Sequence, residues 1–369
     1  MESSGISRET LVALHETEGI GWKTIRDLWA ARKRHPIRAG MREGDLRECG
    51  LLPKQAAALA ANLEPSRMEE RQYLLGRAGI GVITWADRDY PLLLRRTGDP
   101  PPVLYYIGRL ELIARPAIAV VGTRIATAYG KHVTELFSAA FADRGFAVIS
   151  GLAKGIDTCA HKGALNRAGG TVAVLGLPVD RIYPPENRQL YQEIARKGLL
   201  LSEAPPGTPY HTGMFPARNR IIAGLSLAVL VAEAPKDSGA LITAKDAIEA
   251  ERPVFVIPGP VTSPRSLGGM AMLQDGTADP ALVPEDVVGR FRSHLEDEDE
   301  DDNGRQADPA DAVNEEEDAV YRLLLEDPRT VDELAADTGF ALGMLHSILL
   351  SLEIKKKIQR FPGSVYGAL

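Results

Sequence analysis

From residue 116 the chain alternates two rhythms. Short apolar runs recur at AIAVVG, FAVIS, TVAVLG, LLLSE, LAVLVAEA and PVFVIPG. Between most of them, over 127–144, 156–168, 187–197, 217–225 and 240–251, apolar residues fall three or four apart instead. A fully apolar run of this length is a strand covered on both faces, and the intervening periodicity is that of amphipathic helices. The pattern predicts an α/β unit over 116–293: a six-stranded, doubly wound parallel sheet within 116–262, then a loop and a helix. The ligand of such a sheet lies outside the carboxyl ends of its strands.

The flanks read differently. Over 1–65, TLVALHETEGIGWKTIRDLWAARKR places Leu11, Leu14, Ile20, Ile25 and Leu28 at helical spacing around the break EGIG, and LRECGLLPKQAAALAANL is a looser echo. The two units resemble tandem helix-hairpin-helix motifs. In that motif the hairpin amides hold a DNA phosphate. Gly19-Ile20-Gly21 fits this, the second copy lacks its second glycine, and a helical cap packed on its neighbour is the other reading. Residues 66–115 read as a connector, with GDPPPVLYYIG as a proline-stiffened approach to the sheet. At the far end, 315–369, three helical runs precede FPGSVYGAL, a strand–turn–strand. Three helices and a hairpin predict a winged helix, with Thr330 and Glu333 as the capping box of its second helix.

Charge changes the picture of the region between. The chain of 369 residues carries −7 overall, yet 296–318 alone holds 13 acids and one Arg, so the remainder carries +5. A block so charged and so poor in apolar groups cannot offset its ordering entropy, which predicts a disordered acidic linker over 294–314. Cys49 and Cys159 are the only cysteines, without CxxC spacing, and suggest neither a disulfide framework nor a zinc site. No apolar run approaches the roughly 20 residues of a membrane span, and the start lacks the layout of a signal peptide. A cytoplasmic protein without membrane contact is expected.

Candidate chemistry gathers at the strand ends. After the first strand stands GTR, with Arg124; after the second SGLAKGID, with Ser150 and Gly151; after the fourth ARNR, with Arg218, Asn219 and Arg220; after the fifth KDSGALITAK, with Ser238, Gly239 and Lys245. Glycine-rich turns at helix starts present amides and the positive end of the helix dipole, and the arginine fork suits phosphate. Several such sites along one rim suit a chain of phosphates better than one small ligand. Phe215 beside the arginines is either core or a base-stacking ring. GxGxxG is missing after the first strand, where VVGTRIAT stands, and no GxxxxGK[ST] occurs, so dinucleotide and P-loop readings fare poorly. Ser150, Asp157 and His161 do not make a triad, since Asp157 and His161 are four apart on one helix. Asp157 reads as a turn partner and His161 as a packed core histidine.

Seven ordered segments over 118–276 carry a family resemblance: VVGTR, SGLAKGIDTCAHKGAL, YPPENRQLYQEI, GLLLSEAPPGTPY, FPARNRIIAGLS, SGALITAKDAIEAERPVFVIPG and SLGGMAMLQDG. Together they resemble the DprA (Smf) family of bacterial DNA-processing proteins of natural transformation. The resemblance implies an extended Rossmann fold that binds single-stranded DNA, dimerises and loads the RecA recombinase, with no enzymatic activity and no cofactor. It implies a DNA-phosphate ligand in Arg124, backbone donors at Ser150 and Gly151, a stacking and phosphate-binding segment in Phe215, Arg218, Asn219 and Arg220, and a further turn in Ser238, Gly239 and Lys245. The chain departs from the family at His211-Thr212-Gly213, where some relatives carry a DNA-binding Lys, and at Gly269 and Met270, where many carry Thr or Ser and Asn. Two rivals stand beside it. A Rossmann-like nucleotide-phosphate hydrolase would need a PGGxGT turn and a catalytic Glu, where this chain has KDSGALITA and Glu233. A winged-helix regulator would read duplex DNA. Lys355, Lys356 and Lys357 read either as a DNA contact or as a solvated helix end.

Overall fold

The computed structural model describes residues 6–295 and 314–368, apart from 327, 356 and 362; the acidic stretch at 296–313 and Lys356 lie outside the described residues. The chain opens with five helices, α1 (Arg8–His15), α2 (Trp22–Ala31), α3 (Glu43–Glu48), α4 (Pro53–Asn62) and α5 (Pro65–Arg77). Next come β1 (Gly81–Thr84), α6 (Leu92–Arg95) and β2 (Val103–Gly108). The alternating region follows as β3 (Ala117–Gly122), α7 (Ala128–Asp143), β4 (Ala147–Ser150), α8 (Ile156–Ala164), β5 (Thr171–Val174), α9 (Arg188–Lys197), β6 (Leu199–Ser202), α10 (Met214–Gly224), β7 (Ala228–Glu233), α11 (Gly239–Glu249), β8 (Val254–Val256), α12 (Leu267–Gln274), β9 (Asp279–Pro280) and α13 (Glu285–Val288). The last unit holds α14 (Glu315–Glu326), β10 (Arg329–Thr330), α15 (Val331–Thr338), α16 (Leu342–Ile354), β11 (Ile358–Phe361) and β12 (Val365–Ala368).

Among the described residues the main sheet has nine strands in the order β1-β2-β6-β5-β4-β3-β7-β8-β9, against the six expected. The strands β3 to β9 pair in parallel, while β1 on β2 and β2 on β6 are antiparallel. The stretch read as a connector therefore supplies two strands and extends the sheet. The prolines before β2 hid it: Pro100 to Pro102 end where the ladder begins, a position at which a missing N–H costs nothing. The two-residue β9 is too short to show a period.

Along β3 the side chains alternate faces. Ile118 and Val120 enter one apolar layer with Phe137, Phe141, Phe146 and Phe255. Ala117, Ala119 and Val121 enter the other, under α9, α10 and α11. That second layer runs without interruption into the N-terminal helices, through Leu11, Leu14, Leu59 and Tyr105. Polar ties reinforce the seam: the Tyr105 hydroxyl donates to Glu16 (2.8 Å), the Trp22 indole N–H to the Pro100 carbonyl (2.8 Å), and Arg71 pairs with Glu16 (2.6 Å). Gly19 and Gly50 close the two hairpins at positive φ, and Gln55 of the second donates to the Gly19 carbonyl of the first (2.7 Å). This packing supports the cap reading of the N-terminal helices.

The strands diverge at one point. From β3 the chain moves outward through β4, β5 and β6, then returns past β3 to β7, so the crevice opens between the carboxyl ends of β3 and β7. The pairing slips by one residue there, with Gly122 opposite Glu233, and Thr123 N–H donates to the Glu233 carbonyl (2.7 Å). In the terminal unit α14, α15 and α16 pack on a three-stranded sheet, and Thr330 and Glu333 form the expected capping box. Among the described residues no single helix is long and apolar enough to cross a membrane.

Candidate nucleic-acid interface

The crevice holds a cavity of about 560 Å³ lined by, among others, Thr123, Arg124, Phe215, Asn219, Ser238 and Gly239. Four of the strand-end turns thus meet as the topology predicts. Thr127 caps α7 by accepting from Gly130 N–H (3.0 Å). Ser238 caps α11 by accepting from Ala240 N–H (3.3 Å), which leaves the first turn of α11 facing the crevice. No atom crowds the open side of Gly239, so an anion can reach the backbone there.

Arg124 is exposed, and its guanidinium lies over the Phe215 ring, 5.8 Å from the centroid. Phe215 is half-buried between Tyr183 (5.3 Å between centroids) and Tyr210 (6.1 Å). Both tyrosines are open to solvent, 43% and 52% exposed. A cation on an aromatic cluster beside free amides can neutralise a phosphate and offer ring faces to unstacked bases. The two readings of Phe215 meet here: one face packs over Gly176 and the rest looks into the crevice.

The other candidates are tied into the fold or lie beyond the crevice, and Arg218, though it reaches the crevice wall, is of the first kind. Ser150 is fully buried and donates its hydroxyl to the Val120 carbonyl (2.7 Å), so it ties β4 to β3 beneath the rim. Arg218 is only 8% exposed; its guanidinium donates to the carbonyls of Gly151 (2.8 Å) and Val174, and burial lowers its pKa to about 10. Gly151 is small because that guanidinium occupies the space a Cβ would take. Arg220 turns away and pairs with Glu203 (2.8 Å) and Asp99 (3.3 Å). Lys245 is exposed farther along α11 and does not line the crevice. Alternation on a helix explains the arginines: Arg218 faces the sheet, Asn219 the crevice, and Arg220 the β6 side. Neither Tyr183 nor Tyr210 is among the candidates the sequence offers. Their signal was an aromatic next to proline on a loop following a strand, in IYPPEN and TPYHTG.

Asp157 and His161 are structural. Asp157 accepts from Ala153 N–H (3.3 Å), and burial pushes its pKa up against the pull of Arg218. His161 is fully buried between Thr171 Oγ1 (2.7 Å) and Leu152 N–H (3.2 Å). Glu233 accepts from the Thr127 amide (2.8 Å) and hydroxyl (2.9 Å) at the start of α7, which commits its carboxylate to the fold.

The family described as DNA recombination-mediator protein A matches residues 81–292, more than half the chain, and the DprA winged helix domain matches 304–364. The chain belongs to the DprA/Smf family. Protein Smf of Synechocystis is 36% identical over 94% of this chain and 92% of its own length. Among solved structures, DNA processing protein A of Streptococcus pneumoniae superposes with a TM-score of 0.67 at 32% identity, covering 77% of this chain and 98% of that one. DNA processing protein A of Helicobacter pylori, described for its single-stranded DNA binding mode, superposes with a TM-score of 0.54 at 30% identity, covering 58% of this chain and 97% of that one. The match at residue 81 begins with β1, which places the two antiparallel strands within the DprA/Smf core.

Proposed function

We propose that this DprA/Smf protein binds single-stranded DNA along the crevice at the carboxyl edge of its sheet, with little sequence preference and without catalysing a reaction. The observation that carries the reading is the Arg124 guanidinium over the Phe215 ring, itself flanked by two open tyrosines, in a crevice that also presents the unobstructed Gly239 backbone. Ring faces of this kind accept any base that has left a duplex, and duplex bases are already stacked. Arg124, Phe215, Asn219, Ser238 and Gly239 make the contacts in this reading. Ser150, Gly151, Arg218 and Arg220 hold the rim in shape, and Lys245 serves the strand beyond the crevice. Family membership and the homologous Helicobacter pylori structure support the nucleic-acid class. On the same family grounds the chain acts as a homodimer and delivers the bound strand to the RecA recombinase. The commitment of Glu233 to the α7 N-terminus speaks against the hydrolase alternative.

The test is a titration of equal-length labelled single and double strands at several salt concentrations. Single strands bind tighter, and log affinity falls linearly with log salt. Arg124→Ala weakens every sequence alike and flattens the slope by about 0.7, one contact's worth. Phe215→Ala costs about 1–3 kcal/mol and leaves the slope in place. A preference for duplex, or an affinity indifferent to salt, overturns the reading.

A further inference from the structure

The crevice leaves a strongly charged surface unused. Residues 22–42, which comprise α2 and the segment after it, hold seven Lys and Arg and a single acid, Asp27. Their net charge of +6 exceeds the +5 that the chain carries outside 296–318. None of these residues lines the crevice. The nearest acids along the chain are Glu18 before the stretch and Glu43 after it.

The helix sorts this charge onto one side. Ile25 and Leu28 are buried in the apolar layer shared with the sheet. Trp22 and Trp29 turn the same way and are half-buried, with Trp29 meeting Trp85 edge-on at 6.0 Å. Opposite them, three or four residues apart, Lys23, Arg26, Ala30 and Arg34 form an exposed stripe. Arg34 stays on it because the chain keeps turning past the helix, its N–H donating to the Ala31 carbonyl (2.8 Å). The stripe runs about 16 Å, and Lys33, Arg38 and Arg42 are exposed as well. Arg26 pairs with Asp27 (3.0 Å), but the two are 52% and 68% exposed, so the carboxylate holds the cation weakly. Lys23 and Arg34 have no side-chain partner among the described residues.

We propose that the outer face of α2 is a second nucleic-acid surface, separate from the crevice, which holds the phosphate backbone of duplex DNA. A compact anion needs cations that converge on one point, whereas these follow a line, as the phosphates of a backbone do. Over 16 Å of axis each strand of a duplex places about five of them. The surface also differs from the crevice in its rings. The crevice offers Phe215, Tyr183 and Tyr210 to unstacked bases, but on α2 the half-buried Trp22 and Trp29 lie under Arg26 (4.8 Å) and Arg32 (4.3 Å). A row of cations without open ring faces takes hold of phosphates and not of bases, and a duplex presents its phosphates while its bases stay stacked. The N-terminal helices share an apolar layer with the sheet, and Asp99, next to the Pro100 that receives Trp22, pairs with Arg220 of α10 (3.3 Å). One packed unit thus carries both surfaces, and a duplex on α2 has its single-stranded tail within reach of the crevice. That last step rests on the single-strand reading; the duplex surface does not.

The experiment uses the full chain, a labelled single strand and a blunt duplex of equal length, each titrated at several salt concentrations. The wild type is compared with Lys23→Gln/Arg26→Gln/Arg34→Gln, with Arg124→Ala, and with a control that removes as much charge from α7, α8 and α9, Lys131→Gln/Lys162→Gln/Arg196→Gln. All these residues are exposed, and circular dichroism and the urea midpoint verify each fold. The α2 variant loses duplex affinity roughly tenfold or more at low salt and flattens the duplex slope by up to about 2.7, about 0.9 for each contact. Its single-strand affinity stays within about twofold at about 0.15 M salt, where screening confines exposed charges to about 8 Å. The control binds both probes as the wild type does. The proposal is overturned if the α2 variant keeps the duplex slope, if the control loses as much, if the wild type does not bind the duplex at low salt, or if the α2 variant loses single strand and duplex alike. If Arg124→Ala keeps the wild-type affinity for the single strand, the crevice reading falls and the α2 surface stands.

Discussion

The Arg218 guanidinium fastens the ends of β4 and β5 to α10 by donating to the carbonyls of Gly151 and Val174. The Val174 carbonyl is buried and that of Gly151 partly so, and removing their donor costs them that partner. Arg218→Ala therefore lowers stability by roughly 3 kcal/mol, read from the urea midpoint, and loses DNA affinity as the rim loosens. A variant with the wild-type midpoint and lost affinity would make Arg218 a direct ligand instead. His161 gives the rim a pH dependence. Thr171 Oγ1 spends its proton on the Val148 carbonyl (2.7 Å), so His161 donates from Nδ1 and keeps Nε2 bare to accept from Leu152. Burial, assisted by Arg218, lowers its pKa from 6.5 to about 3. Between those values the unfolded chain takes up a proton that the folded chain refuses, so stability falls as pH drops below 6.5 and is unaffected above it. Asp157, raised by burial, acts in the opposite sense as pH falls. The loss is about 1.4 kcal/mol per pH unit crossed. Urea midpoints at pH 7.5 and 5.5 test it: the wild type drops between them, and a His161→Gln protein, weaker at the outset, drops far less.

At the scale of elements, what could be read from the chain followed the strength of its period. The apolar runs at β3 to β8 are strands because both their faces are covered, and the helices between them begin within a few residues of their expected starts. The carboxyl-edge crevice followed from that order alone. The antiparallel β1 and β2 were not legible, because a four-residue strand and one introduced by three prolines leave no period to count. Site residues were legible where a turn dictates exposure, as at Arg124 and Gly239. They were misread where burial decides, since ARNR looks like a uniform basic run until the helix turns each side chain to a different neighbour. Ser150 belongs to the same class: a strand's last residue still points into the core. The winged-helix unit shows the converse. Its third helix, LGMLHSILLSLEI, contains no Lys or Arg, and Lys355 just past it pairs with the nearly buried Glu317 (2.6 Å). A helix without cations is poorly suited to follow a phosphate backbone.

For the whole molecule, these charges decide where the chain can be cut. The N-terminal helices share one apolar layer with the sheet and cannot be removed without exposing it. The winged-helix unit has its own apolar core, through Val320, Leu334, Leu345 and Leu352. Its ion pair to the sheet unit, Arg96 with Glu333 (2.8 Å), is 25% and 50% exposed and contributes at most about 1 kcal/mol. A fragment of residues 1–295 should therefore fold, with the urea midpoint of its sheet unit close to that of the full chain. It keeps most of the single-strand affinity, because Arg124, Phe215 and Gly239 all lie within it. At low salt it binds slightly tighter than the full chain, because residues 296–318, with 13 acids and one Arg, no longer compete with DNA for the cationic rim. At high salt that gain disappears, since screening shortens the reach of the acids to a few ångströms. Binding of one labelled oligonucleotide by the full chain and by 1–295, at two ionic strengths, measures both effects. A folded fragment that has lost nearly all its affinity would move the principal DNA site out of the sheet crevice and into the terminal unit.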